Sequence, residues 1–184
     1  QGNFHGEILA LCADRMSLAL FELGSISERR MDQLLDSNKS GLPPFLANNS
    51  GLESGMMIVQ YSAGSALAEM HGHAAPRTAF STSTSAGQED HVSMGATACW
   101  NLYQSCIRLS EVLACELVIA CQGLEYNTLN PASFVKSLHK LVRTISPKLT
   151  SDRSTSAELQ SIAKILREGT WLSRIEAENE RLVR

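Results

Sequence analysis

The sequence predicts an all-α protein, a long-helix bundle, on three observations. Apolar residues recur at three- and four-residue steps over long stretches, and strand-like alternation is nearly absent. Aromatics make up only 5% of a chain that is 43% hydrophobic. A core drawn from Leu, Ile, Val, Met, Ala and Cys suits close helix–helix packing. With 184 residues, 19% of them charged, the chain can bury a sizeable core and is too apolar for disorder.

The first helix is expected over 7–36, where Ile8, Leu11, Cys12, Met16, Leu18, Leu20 and Leu23 form an apolar stripe. Gly24 is expected to bend this helix without ending it. A loop follows over 37–54, marked by Ser40-Gly41-Leu42-Pro43-Pro44 and Asn48-Asn49-Ser50-Gly51. A second helix over 55–70 carries the small residues Ser62, Ala63, Gly64, Ser65, Ala66 and Ala68, which let another helix approach closely. Another irregular stretch covers 72–87, broken by Pro76.

The third helix is read over 89–123, about 50 Å at 1.5 Å per residue. Cys99, Leu102, Cys106, Leu109, Leu113, Leu117 and Ala120 form its stripe, and so long and apolar a rod is expected to be buried. Asn130-Pro131 reads as an N-cap and first-turn proline of a helix ending near Ser146-Pro147. Thr155-x-x-Glu158 reads as a capping box opening a last helical region with Leu159, Ile162, Ala163, Ile165, Leu166, Trp171, Leu172 and Ile175. The stretch 176–184 alternates charge, as a solvated helix end does.

A net charge of −3 argues against a nucleic-acid surface, which needs a basic patch. No uncharged apolar run reaches the roughly 18 residues of a membrane span. The opening Gln1-Gly2-Asn3-Phe4-His5-Gly6 lacks the basic-then-apolar pattern of a secretory leader. The cysteines Cys12, Cys99, Cys106, Cys115 and Cys121 are odd in number, lack a C-x-x-C pair and sit in apolar helical runs. Reduced structural thiols and a cytoplasmic location are therefore expected.

Ser83-Thr84-Ser85-Ala86-Gly87-Gln88-Glu89-Asp90-His91-Val92-Ser93-Met94-Gly95 is the most informative stretch. Polar side chains crowd the expected mouth of the third helix, where free N–H groups and the macrodipole stabilise a carboxylate. Glu89 is either a simple helix-end carboxylate or a group with a defined position and a tunable charge. His71-Gly72-His73 with Asp90-His91 lacks metal-ligand spacing, so no metal is expected. Adjacent Asp90 and His91 cannot aim at each other, which disfavours a Ser/His/Asp triad. Phosphate-loop, nucleophile-elbow and H-E-x-x-H motifs are missing.

Gly2-Asn3-Phe4-His5-Gly6, Ile26-Ser27-Glu28-Arg29-Arg30, Ser40-Gly41-Leu42-Pro43-Pro44-Phe45-Leu46, Gly51-Leu52-x-Ser54-Gly55-x-Met57-Ile58-x-Gln60 and Gln88-Glu89-Asp90-His91-Val92-Ser93-Met94-Gly95 occur in this order. Together they resemble the C-terminal part of histidine ammonia-lyase and its aromatic amino-acid lyase relatives. The resemblance is close over 1–125, read as a central helical-bundle segment, and looser over 126–184, a C-terminal helical segment. It implies a helical homotetramer that removes ammonia from an L-amino acid without oxidation, giving urocanate where the substrate is histidine. It also implies a methylidene-imidazolone prosthetic group, made from an internal Ala-Ser-Gly, as electron sink. Phe4 matches the aromatic beside substrate and ring, Glu89 the active-site carboxylate, and Gln88 a supporting residue. Phenylalanine lyases typically place Gln where Glu89 stands, so Glu89 favours a polar or cationic substrate.

The sequence departs from that pattern in three places. It has no Ala-Ser-Gly, only Ser62-Ala63-Gly64 and Ser85-Ala86-Gly87. Gly87 stands where histidine lyases usually have Asn, and Ala74-Ala75-Pro76-Arg77-Thr78-Ala79-Phe80 replaces the usual His-Pro-Ala loop. The electrophile and tyrosine base are therefore expected in an upstream part of the same enzyme, and the chain is expected to be inactive alone. Two other readings stand beside this one: a tyrosine lyase or aminomutase, and a non-catalytic helical scaffold.

Overall fold

The computed structural model describes residues 3–128, 130–171 and 173. Gly2, Leu172, Ile175 and the 176–184 stretch lie outside them. Among the described residues the fold is all-α, with only isolated bridges at Ser50–Glu53 and Thr84–Glu89. The helices are α1 (Glu7–Leu35), α2 (Ser37–Ser40), α3 (Met57–His73), α4 (Gly95–Leu124), α5 (Ser133–Arg143) and α6 (Ser156–Glu168). None is long and apolar enough to cross a membrane.

Local chemistry moves several expected boundaries. The 37–54 loop contains α2, because Asp36 accepts the Asn38 N–H at 2.9 Å as N-cap and Gly41 ends the turn at φ +70°. It also contains a 3₁₀ turn, Pro44–Leu46. The second helix starts at Met57 rather than Gly55, whose φ of +57° is not helical, and runs through Gly72 to His73. The Asn130-Pro131 start is corrected to Ser133 with Ala132 at the N-cap, and no side chain caps it. The capping box fails too. Thr155 makes no side-chain cap, and the Glu158 carboxylate is taken by the Ser146 hydroxyl at 2.6 Å and by the Arg153 guanidinium.

The chain divides into two compact units, one of Gln1–Ser25 with Ser65–Leu109, the other of Ile26–Gly64 with Ser110–Arg184. In the first, the buried cluster is built from Ala10, Ala13 and Ala98, with Leu102 packed against it. The expected α1 stripe is corrected here: Ile8, Leu11, Met16, Leu18 and Leu23 are exposed, while Ala10, Ala13, Asp14 and Ser17 are buried. Both sets follow helical spacing, and closely approaching helices select the small one. Gly24 shows the same closeness, since a Cβ there would lie 2.9 Å from Leu67 Cδ2. Relieving that overpacking costs about 1–3 kcal/mol, against roughly 1 kcal/mol of helix propensity gained by Ala. Gly24→Ala is thus expected to lose about 1 kcal/mol net in chemical denaturation.

The expected α4 stripe is shifted as well. In the first unit its Leu109 is buried and its Leu102 packs on the core, but Cys99 and Cys106 are exposed, and Ala98, Asn101 and Ser105 take the buried positions. In the second unit α4 is the buried rod the sequence promised, through Val112, Ala114, Cys115, Val118, Ile119, Cys121 and Gln122.

The second unit buries larger side chains: Met31, Leu46, Met56, Val112, Val118, Ile119, Val142 and Ile162 are essentially inaccessible. Each of the larger ones contributes about 1.5–3 kcal/mol relative to exposure. Gln122 is fully buried and behaves like a backbone group, donating to Leu149 O at 2.9 Å and accepting Leu149 N–H at 3.0 Å. That pairing satisfies polar atoms that would otherwise cost stability. Glu116 accepts from Ser27 Oγ at 2.5 Å and from Arg30 Nε at 2.5 Å. Burial pushes the Cys115 thiol up to about 12 and the Cys121 thiol up to about 11, so both stay protonated.

Four carboxyls among the described residues lie below their ordinary range, Asp32 among them through the hydrogen bond from Lys39. Burial raises Asp14, but the Thr78 N–H and hydroxyl, the Arg77 N–H and the Arg77 charge together outweigh it. Burial likewise raises Glu125, and hydrogen bonds from Arg143 and His139 reverse the effect. Asp152 is lowered by the N–H groups of Ser54 and Gly55, at 2.8 and 2.9 Å. A depressed carboxyl stabilises the fold above its unfolded pKa, and that stability is lost as pH falls through the folded value. The thermal midpoint is therefore expected to be flat from about pH 7 to 5 and to fall below about pH 4. A midpoint unchanged down to about pH 3 contradicts these assignments.

Candidate active site

The first unit brings together the two segments that the sequence singled out. Phe4–Gly6 forms a 3₁₀ turn just ahead of α1, with His5 at φ 53° and Gly6 at φ +65°. Ser85–Gly87 forms another, with Ser85, Ala86 and Gly87 at φ 53°, 55° and 87°. Met94, immediately before α4, has φ 54°. Left-handed backbone at non-glycine residues costs of order 1 kcal/mol each. Four of the six such residues among those described, His5, Ser85, Ala86 and Met94, flank this one place. Strain concentrated this way marks a functional-site candidate.

Glu89 is not at the mouth of α4, which corrects the expectation. Asp90 to Met94 separate it from Gly95, the first helical residue. The macrodipole falls off within the first turn, so it does not hold this carboxylate. The Thr84–Glu89 bridge does instead: Thr84 N–H donates to Glu89 O at 2.9 Å, and Glu89 N–H returns to Thr84 O at 3.3 Å.

The Glu89 side chain is 37% exposed, and its Oε2 lies 2.7 Å from His5 Nε2. An ionised carboxylate only accepts, so Nε2 carries the proton. The His5 ring meets Phe4 edge-on, centroids 4.1 Å apart at 85°. Phe4 itself is 61% exposed. A second pair runs beside the first, His91 Nε2 to Glu7 Oε2 at 3.2 Å. Ser93 Oγ donates to the His5 carbonyl at 2.7 Å. Phe4 and Glu89 therefore occupy one corner, bridged by His5, and offer an exposed aromatic face beside a held negative charge. Gln88 is exposed, and its N–H closes the turn on Ser85 O at 3.2 Å.

His5 was missed as a site residue. The signal was present: His5-x-Glu7 and Glu89-x-His91 are complementary at the same spacing, but pairing them needs a fold. Of the residues weighed as metal ligands, His71 packs against the Phe21 ring at 5.5 Å and His91 pairs with Glu7. Among the described residues no group of three or more His, Cys, Asp or Glu could hold a metal ion.

The model of the family described as aromatic amino acid lyase matches residues 1–144. A histidine ammonia-lyase of Deinococcus radiodurans is 47% identical over 152 residues, 83% of this chain and 29% of its own length. Among solved structures, histidine ammonia-lyase from Trypanosoma cruzi aligns with a TM-score of 0.90 and 36% identity, over 96% of this chain and 35% of its own. Tyrosine aminomutase from Streptomyces globisporus aligns with a TM-score of 0.91 and 29% identity, over 97% of this chain and 34% of its own. The chain thus spans about a third of the length of these relatives. Matched over most of its residues and sharing both sequence and helical fold with these enzymes, the chain belongs to the aromatic amino acid lyase family.

Proposed function

We propose that this chain is the C-terminal part of an ammonia-lyase that eliminates ammonia from L-histidine to give urocanate, and that it supplies one wall of the active site. The observation that carries the proposal is the Glu89 carboxylate, held 2.7 Å from His5 beside the exposed Phe4 ring. In this reading Phe4 packs against the substrate side chain, Glu89 draws its ammonium or imidazole group, and Gln88 supports Glu89 from the adjacent turn. A carboxylate in a site closed from water attracts a cation far more strongly than a neutral amide would.

The residues present fit the flank of a methylidene-imidazolone rather than its source. Phe4 offers a flat apolar face and Glu89 a charge in the same corner, while no Ala-Ser-Gly exists here to cyclise. Such a group, once formed, supplies an electron sink for the amino acid. It belongs to another part of the longer protein, so this chain alone should not turn over substrate.

The outward Ile8, Leu9, Leu11, Met16 and Leu18 of α1 support further cover, from the rest of the enzyme and from sister subunits of a homotetramer. The free cysteines suit a reducing, cytoplasmic setting.

A tyrosine lyase or aminomutase is the second reading, favoured by the likeness to tyrosine aminomutase. Incubating the full-length protein separately with L-histidine and L-tyrosine, and following the conjugated acrylate by ultraviolet absorbance, separates the two. Urocanate from histidine is expected. Product from tyrosine alone, whether acrylate or β-amino acid, overturns the substrate assignment, and no product from either supports a scaffold role.

A further inference from the structure

We propose that His5 is a positioning residue: its imidazole N–H holds the Glu89 carboxylate in the corner beside Phe4. This rests on the reading of Glu89 as an active-site carboxylate and adds to it the group that aims it. Glu89 is pinned at its backbone by Thr84, but a glutamate side chain has three rotatable bonds beyond that anchor. The hydrogen bond from His5 Nε2 at 2.7 Å is what selects one of its directions.

His5 is itself constrained from several sides. Its ring is braced edge-on against Phe4, and its carbonyl is clamped by Ser93 Oγ at 2.7 Å. Its backbone sits at φ 53°, a conformation that persists only where surrounding structure determines it. Two residues on, Glu7 bonds His91, so two crossed His–Glu pairs join the same segments in one register. A slip of either segment would break both. An exposed ion pair adds little to stability, so its effect is expected in geometry, where a small misplacement of a catalytic group lowers rate steeply.

The test is a substitution series in the full-length enzyme, with kcat and KM on histidine. His5→Leu removes the donor, His5→Asn keeps a donor too short to reach Glu89, and His5→Gln restores a donor at nearly the original reach. Asn is also well suited to the left-handed backbone, which keeps a folded comparison available should Leu disturb the turn. His5→Leu and His5→Asn are expected to lower kcat at least about 10-fold, and His5→Gln to recover most of it. Combined with Glu89→Gln, His5→Leu should lower kcat by no more than about 3-fold further, because the two act as a unit.

Wild-type kcat in a folded His5→Asn, a His5→Gln no better than Asn, or losses that multiply fully in the double variant would overturn the role of His5. Those outcomes leave the function standing. A Glu89→Gln enzyme with wild-type turnover instead removes the reading on which the proposal rests.

Discussion

Glu89→Gln in the full-length enzyme is expected to lower turnover on histidine by about 10²–10³-fold while leaving the protein folded. The substitution keeps the size of the side chain and an oxygen that can accept from His5, and it removes only the charge. Opposite charges about 4 Å apart interact by roughly 4 kcal/mol at an effective dielectric of 20, and each 1.36 kcal/mol is tenfold in rate. Not all of that is realised, which places the expected loss at two to three decades rather than at the upper limit. The fold should survive because Glu89 is tied to Thr84 through backbone atoms, which the change leaves alone. Turnover by ultraviolet absorbance, with circular dichroism of the same sample, checks both halves. Wild-type turnover would reduce Glu89 to an exposed surface acid.

Gly55→Ala is expected to be the most damaging small change in the second unit, costing about 3 kcal/mol or more. Gly55 sits at φ +57°, where a Cβ alone costs about 1–2 kcal/mol. That Cβ would also lie 2.5 Å from the Phe45 carbonyl oxygen, 3.0 Å from Ala47 Cβ and 3.1 Å from Ala47 N. The obstacle is mostly backbone, so no rotamer change relieves it. Nor can the loop yield easily. Phe45 O already accepts Met56 N–H at 2.8 Å, Gly55 N–H donates to Asp152 at 2.9 Å, and Phe45 and Leu46 themselves have positive φ. A fall of roughly 6–12 °C in apparent midpoint is expected, at about 2–4 °C per kcal/mol for a domain of this size. The contrast with Gly24→Ala, where the neighbour is the movable end of Leu67, tests whether backbone or side chain sets the cost. Equal losses at the two sites would contradict the account.

Helix existence was legible from periodicity, since α1, α5 and α6 lie within the stretches expected to be helical, and α3 and α4 overlap theirs and run on to His73 and Leu124. Which face of each helix is buried was not. In the first part of α1, Ile8, Leu11, Met16 and Leu18 point out and Ala10 and Ala13 in, because helical spacing alone cannot say which of two interleaved stripes meets a neighbour. On α4 the Cys99 and Cys106 stripe lost to Ala98, Asn101 and Ser105 for the same reason. Cap residues misled where tertiary partners outbid the local one, as when Ser146 and Arg153 took Glu158. At the site, Phe4 and Glu89 were singled out through resemblance, but the reason given for the location of Glu89 was wrong. A left-handed turn and a two-residue bridge hold it, neither of which a periodicity argument can see. His5 stayed hidden because its partner lies far along the chain, and only the fold puts them 2.7 Å apart.

The most direct measurement is a crystal structure of the full-length enzyme with a non-reacting substrate analogue bound. Glu89 should stand within about 3.2 Å of a nitrogen of the analogue, with the Phe4 ring against its side chain. An analogue bound elsewhere, with Glu89 turned to bulk water, would contradict the assignment and leave only a family-shaped helical fold.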